Sequence, residues 1–337
     1  MKVGVINVTG YIGMDLARLL FRHPEVEVAW VTGRGAAGQR LGDYLPHLDI
    51  NDLPILAEPG EADVVFSALP HKSSAEALLP LIRRGTRVID LSADFRLKDA
   101  AEYQRWYEVV HPAPSLLPQA VYGLPELRRK EIAAARIVAS PGCYPTAALL
   151  ALAPAVKAGL VEPDIIVDAK SGVSGAGRCL SLTTHYSEVN ESFTAYALEG
   201  HRHLPEMVQE LRALKPGYSP SLTFLPHLIP MTRGILATCY ARLRQQVSAK
   251  QVQDLYQEFY RGEPFVRVVG FSPQTKQTLG CNRCLVHATV DQAAGRLIVL
   301  SALDNLVKGG GGQAIQAMNL MLGLPETCGL DDLAVFP

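Results

Sequence analysis

Short apolar runs alternate with longer amphipathic stretches through the first half of the chain: "KVGVIN", "MDLARLLFRH" and "EVEVAWVTG", then "ADVVFSALP", "SSAEALLPLIRRG" and "TRVIDLS". Runs of about six residues suit strands, and helical periodicity between them predicts β-α-β crossovers and a parallel sheet covered on both faces. A further strand, "ARIVAS", leads to "PGCYPTAALLALAPAVKAGL", a predicted helix with Pro145 near its first position and Gly159 placed to end it.

From "DIIVDAKSGVSGAG" onward the texture changes to longer β-type runs, "SLTFLPHLIP", "RGILATCYARLR", "FVRVVG" and "RLIVLSALDN". Helices are expected at about 204–214 and 248–261. Long strands with fewer helices predict a mixed or antiparallel sheet. The last predicted helix, "GGQAIQAMNLMLGL", follows a four-glycine turn and is expected to pack back on the first domain. The reading is an α/β protein: a Rossmann-type doubly wound parallel sheet plus an α+β catalytic domain. The dinucleotide-binding domain is expected over 1–145 and 305–337, and the catalytic, substrate and oligomerisation domain over 146–304.

A length of 337 residues accommodates two such cores, since one core seldom grows past roughly 250 to 300 residues. A net charge of -1 gives no electrostatic case for nucleic acid or an anionic membrane, so a small molecule is the expected partner. The longest apolar run, "TAALLALAPAV", is half of the ~20 residues that span a bilayer and is interrupted by Pro154. "MKVGVINVTG" reads as a first strand rather than an export signal. Six sparse cysteines suit a reducing cytoplasm. Cys281 and Cys284 form a C-x-x-C without a second close pair, so ordinary thiols are the better reading and no metal site is expected.

"INVTGYIG" is a nucleotide-binding turn with Asn7 where a glycine is usual. Asn tolerates the left-handed conformation that the bend needs, and Gly10 and Gly13 remain for close backbone approach and helix packing. Thr9, Gly10, Tyr11, Ile12 and Gly13 would line the cofactor, with helix N–H groups facing its pyrophosphate. A tight strand-to-helix turn without ligand is the other reading. The second strand ends in Thr32, Gly33 and Arg34 without an acidic residue for a free ribose. Arg34 suits a 2'-phosphate, hence NADP, or is a solvated surface arginine.

In "ASPGCYPTAA", Cys143 lies just before a helix whose dipole favours the thiolate, a nucleophile whose oxyanion product the same N–H groups can stabilise. "LEGHRHLPE" supplies His201 and His203 around Arg202. If extended, the segment sends the two imidazoles to opposite sides, with one facing the thiol. His71 and Arg96 follow strand ends, where open parallel sheets bind ligands. Arg96 suits an oxyanion such as phosphate, or makes a cap or surface ion pair.

The segments "TGYIG", "ALPH", "DLSADFRL", "SPGCYPTAALL", "SGVSGAGR", "GHRHLPE", "PHLIPMTRGILAT" and "DNLVKG" span nearly the whole chain. Together they resemble the N-acetyl-gamma-glutamyl-phosphate reductases of arginine biosynthesis, distant relatives of aspartate-semialdehyde dehydrogenase. The resemblance implies Cys143 as nucleophile, an acid or base from His201 and His203, and substrate-anion contacts from Arg96 and Arg202. It implies that Ser174 and Gly175 of the glycine loop, and Asn305, border a nicotinamide, and that the protein is a dimer or tetramer. The implied reaction is NADPH-dependent reduction of N-acetyl-L-glutamyl 5-phosphate through a Cys143 thioester. Two other readings are an aminoadipyl-phosphate reductase of lysine biosynthesis, whose nucleophile segment tends to lack the Tyr-Pro after Cys143, and a non-catalytic NADP-binding regulator. Asn7 and Gly33 depart from the family's usual residues.

Overall fold

A computed structural model describes residues 1–48 and 53–336. The chain forms two compact units, crossing from the first to the second between Gly142 and Cys143, back between Gly309 and Gly310, and again into the second after Asp332.

Unit 1 begins with β1 (Lys2–Ile6), α1 (Tyr11–Leu20), β2 (Glu27–Thr32), the short α2 (Leu41–Tyr44), β3 (Ile55–Leu56) and β4 (Val64–Ser67). It continues through α3 (Ser74–Arg83), β5 (Arg87–Asp90), α4 (Ala100–Tyr107), β6 (Val121–Tyr122), α5 (Pro125–Ala134) and β7 (Ile137–Ala139). The strands form one sheet in the order β3-β2-β1-β4-β5-β7-β6, each neighbouring pair parallel. The order reverses between β1 and β4, and open sheets of this kind hold ligands at the carboxyl end of that crevice. Continuous apolar runs make the central strands: Val3, Val5, Val64, Val65, Phe66, Val88 and Ile89 are fully buried, as strands covered on both faces require.

Unit 2 opens with α6 (Cys143–Lys157), followed by β8 (Val161–Gly172), α7 (Tyr186–Val189), β9 (Thr194–Ala195), α8 (Leu204–Leu214), β10 (Ser221–Ile229) and β11 (Ile235–Leu243). Then come α9 (Ala249–Phe259), β12 (Val266–Val268), β13 (Cys284–Asp291) and β14 (Arg296–Leu303). The sheet order is β12-β13-β14-β11-β8-β10-β9. It is mixed, with β8 parallel to β10 and antiparallel to β11. Helix α6 is buried from Tyr144 to Val156. Pro154 leaves the Leu150 carbonyl without its helical donor. The hydroxyl of Tyr260 donates to that carbonyl at 2.5 Å and the hydroxyl of Tyr256 to Ala151 O at 2.7 Å, so the buried helix keeps its proline without an orphaned acceptor.

The four-glycine turn is kinked at Gly310, with φ -157° and ψ -106°. Val307–Gly311 is a π-helical turn that runs into α10 (Gly312–Met321). As expected, α10 packs within unit 1, against α5 and α1. The strand β13 and helices α4 and α5 stand beyond the elements expected from sequence; β13 starts within the C-x-x-C segment, where Cys284 is a buried strand residue. Among the described residues, no helix is long and apolar enough to cross a membrane.

Candidate active site

In unit 1 the turn after β1 bends at Asn7. Asn7 adopts φ +65°, held there as its Nδ2 donates to Ala68 O at 2.8 Å and its Oδ1 accepts from the Thr9 hydroxyl at 3.2 Å. Asparagine thus takes over the left-handed bend that a glycine would otherwise supply. The two remaining glycines differ in purpose. A Cβ on Gly13 would lie 2.3 Å from Asn7 O, so its hydrogen is demanded by packing of α1 on the turn. A Cβ on Gly10 would meet nothing nearer than Asn7 Nδ2 at 3.5 Å. The protein itself leaves that space, which a pyrophosphate can use. Helix α1 has no acidic residue in its first turn, and its N-cap, Gly10, has no side chain to occupy the leading N–H groups; the residues therefore fit a dinucleotide phosphate. Arg34 is exposed just past β2.

Arg96 is buried in unit 1. Its Nε donates to Ser140 O at 2.8 Å and its Nη2 to Leu91 O at 2.9 Å, which fixes the plane of the guanidinium. The same loop supplies Asp94, which caps α3 from outside that helix: its Oδ2 accepts from the amides of Ser74 and Ala75, each at 3.0 Å. Asp94 also accepts from the Tyr103 hydroxyl at 2.8 Å. Its neighbour Asp90 is fully buried and is pushed up to about 6 by that burial and by the charge of Asp94. His71 is committed through Nδ1, which accepts the Ala93 amide at 3.0 Å.

In unit 2, Cys143 is the first residue of α6 rather than the residue before it, and it is partly exposed. The next residue, Tyr144, is buried, and its hydroxyl donates to His227 O at 3.1 Å while accepting from Tyr196 at 3.3 Å. Burial pushes Tyr196 up to about 12; the Tyr144 hydrogen bond opposes this, a Cys143 thiolate adds to it and Arg202 opposes it. Cys143, Tyr196 and Arg202 therefore share one electrostatic neighbourhood.

The two histidines lie on the same side, against the expectation of opposite faces. Their ring centroids are 4.7 Å apart, and both pack edge-on to Tyr144, at 5.9 Å for His201 and 6.0 Å for His203. The cause is local. Residues 201–203 form a turn rather than a strand, and His203, with φ -82° and ψ -12°, is the N-cap of α8, so the alternation of extended chain does not apply. His201 Nδ1 accepts the His203 amide at 3.1 Å. Burial, assisted by the charge of Arg202, pushes His201 down to about 4. At neutral pH it is an uncharged ring whose proton sits on Nε2, a donor rather than a base.

The glycine loop and Asn305 also meet within unit 2. Asn305 Nδ2 donates to the Ser174 hydroxyl at 2.9 Å, and its Oδ1 accepts from the Gly234 amide at 2.7 Å. Gly175 is exposed at the tip of that loop. Cys281 is buried, its thiol is pushed up by that burial, and it donates to Thr278 O at 3.4 Å.

Two family descriptions match the chain, "Semialdehyde dehydrogenase, NAD binding domain" over residues 2–135 and "Semialdehyde dehydrogenase, dimerisation domain" over residues 143–305. The chain is 54% identical over 337 residues to an N-acetyl-gamma-glutamyl-phosphate reductase of Dehalococcoides mccartyi (strain CBDB1), covering all of this chain and 99% of that one. The chain belongs to the N-acetyl-gamma-glutamyl-phosphate reductase family. A member from Pelotomaculum thermopropionicum is 49% identical over 348 residues, covering 100% of this chain and 99% of its own. In fold, the chain is similar to the aspartate semialdehyde dehydrogenase of Candida albicans solved with NADP, with a TM-score of 0.73 at 15% identity, covering 95% of this chain and 98% of that one.

As a member of the reductase family, the chain is an oxidoreductase acting on a small molecule. Several residues that shape the site do not emerge from sequence reading: Tyr144, Tyr196, Asp94, Asp304 and Gly309. Tyr144, Asp94, Asp304 and Gly309 belong to quoted motifs, yet a tyrosine or an aspartate within a motif carries no sign of what it binds.

Proposed function

We propose that this chain catalyses the NADPH-dependent reductive dephosphorylation of N-acetyl-L-glutamyl 5-phosphate to N-acetyl-L-glutamate 5-semialdehyde, in the cytoplasm, with Cys143 as nucleophile. The grouping of Tyr144, Tyr196, Arg202 and the paired imidazoles about the Cys143 end of α6 carries the reading.

The thiolate of Cys143, favoured at the start of α6, attacks the acyl carbon. The bond from that carbon to the phosphate oxygen breaks, phosphate leaves with its charge met by Arg202 and Arg96, and a thioester remains on Cys143. Thr9, Gly10, Tyr11, Ile12 and Gly13 would hold the cofactor phosphates, Arg34 its 2'-phosphate, and Ser174, Gly175 and Asn305 its nicotinamide end. NADPH supplies two electrons as hydride. His201, neutral with a proton on Nε2, donates a hydrogen bond to the developing oxyanion. His203 takes the remaining role: it accepts the thiol proton at the start and returns it to sulfur as the carbon–sulfur bond breaks and the aldehyde leaves.

The active species is a homo-oligomer, a dimer or tetramer. Ile166, Tyr240 and Ile298 are cross-strand neighbours on β8, β11 and β14 and all keep solvent exposure, while the alternate residues Val167, Cys239 and Val299 are buried. An apolar patch of three on the solvent side of the sheet supports self-association. Purified protein is expected to oxidise NADPH with release of one phosphate per turnover on N-acetylglutamyl phosphate, faster than with NADH or with aminoadipyl phosphate. Folded protein that turns over none of these, or prefers aminoadipyl phosphate, contradicts the assignment.

A further inference from the structure

The segment "DNLVKGG" contains more chemistry than the cofactor contact expected of Asn305. Gly309 packs directly on the thiol-bearing residue: a Cβ at Gly309 would lie 2.8 Å from Cys143 Cβ and 3.2 Å from Cys143 Cα. Real Cβ atoms do not approach so closely, and neither neighbouring atom is the far end of a flexible side chain. Gly309 is held in its place by a five-residue hydrogen bond, its amide donating to Asp304 O at 2.9 Å, in the π-helical turn Val307–Gly311. Single π turns are uncommon and occur often at functional sites.

The start of this turn is organised by one carboxylate. Asp304 is fully buried. Its Oδ1 accepts from the amides of Leu306 and Val307 at 2.9 and 3.3 Å, and its Oδ2 accepts from the Gly280 amide at 2.8 Å and lies 3.5 Å from Arg233 Nη1. Burying a carboxylate is costly unless its oxygens are occupied, and here Leu306 and Val307 of the turn and the flanking Gly280 and Arg233 occupy them.

We infer that Asp304 is a positioning residue that acts through the π turn, and that Gly309 is the surface on which Cys143 is seated for attack. The inference rests on Cys143 being the nucleophile. Removing the carboxylate loosens the turn and frees the thiol to leave its attack geometry. Adding a methyl group at Gly309 displaces Cys143 directly.

The test uses the full-length enzyme with Gly309→Ala, Asp304→Asn, Asp304→Ala and the Asp304→Ala/Gly309→Ala double variant. Two rates are read: kcat, and the rate of iodoacetamide alkylation at Cys143, mapped by peptide mass spectrometry from pH 6 to 9. NADPH binding and thermal unfolding are measured alongside. Displacements of about an ångström at a reacting atom reduce rates by roughly 10- to 100-fold. Gly309→Ala and Asp304→Ala are expected to lower kcat by such a factor and to change the alkylation profile, with the Kd for NADPH within about threefold of the parent. Asp304→Asn, which keeps one acceptor oxygen for the turn, is expected to recover part of both rates. The double variant is expected to lose less than the product of the two single losses, since both act on one seat. Parent-like kcat and alkylation in Gly309→Ala, or an Asp304→Ala effect confined to the unfolding temperature, overturn the inference; if either alanine variant fails to fold, Asp304→Asn decides it on the same two rates. Cys143→Ser that retains turnover would instead refute the nucleophile reading, and the alkylation rates of the other variants would still report on the seat.

Discussion

At the scale of single residues, the paired histidines divide the chemistry between them. His201 has spent Nδ1 on the His203 amide and is uncharged above about pH 4, so it acts as a fixed donor. Its lowered value also has a consequence for stability. The unfolded ring protonates near its ordinary 6.5, so the stability this group contributes is complete above that pH and is lost as pH falls toward 4. Replacing His203 with Gln is expected to lower kcat by about 10²- to 10⁴-fold, the usual range for losing a general acid or base. Replacing His201 with Gln is expected to lower kcat by less and to leave the acid limb of the kcat/KM profile in place. An acid limb that disappears in the His201 variant and survives in the His203 variant would reverse the two roles.

At the scale of elements, the turn into α1 separates glycines that serve the fold from those that serve the ligand. Gly13→Ala is expected to destabilise unit 1 by several kcal/mol, because the new methyl meets the Asn7 carbonyl oxygen at 2.3 Å. Gly10→Ala is expected to leave denaturant unfolding within about 1 kcal/mol, since its φ of -84° suits any residue and a Cβ there meets nothing nearer than 3.5 Å, while weakening NADPH binding at least about tenfold by occupying the pyrophosphate's space. Equal effects of the two variants on both measurements would refute this division. The end of β5 makes a separate statement about pH. Asp90 is raised from 3.8 to about 6, so its contribution to stability is complete below about pH 4 and is lost as pH rises through 6. The stability of Asp90→Asn relative to the parent should therefore improve by up to about 3 kcal/mol between pH 4 and pH 7; a difference that stays flat over that range contradicts it. Much at this scale was legible in sequence. Strand length and helical periodicity mark β1, α1, β2 and the α6 and α8 helices, and the tolerance of asparagine for positive φ anticipates the conformation of Asn7. The two imidazoles were not legible, because a dipeptide step of two residues puts side chains on opposite faces only in extended chain, and nothing in "GHRHLPE" states where the turn ends and α8 begins.

At the scale of the whole molecule, the parallel sheet of unit 1 and the mixed sheet of unit 2 follow from the change of pattern near "DIIVDAK". The partners of buried polar groups do not follow, because they depend on contacts distant in sequence: Asp94 with Ser74, Asn305 with Ser174, and Gly309 with Cys143. The patch of Ile166, Tyr240 and Ile298 on the second sheet makes its own prediction. Ile166→Glu with Tyr240→Glu is expected to shift the protein toward monomer in sedimentation velocity, and unchanged assembly would place the interface elsewhere. The claim on which the rest depends is covalent capture by one of six thiols. The direct measurement is to mix the protein with radiolabelled acyl phosphate in the absence of NADPH, quench in acid and map the label by peptide sequencing. The account predicts close to one acyl group per active chain, on Cys143 alone, released as aldehyde when NADPH is added before the quench. Label on another residue, or full turnover with none trapped and with Cys143 replaced by serine, would contradict it.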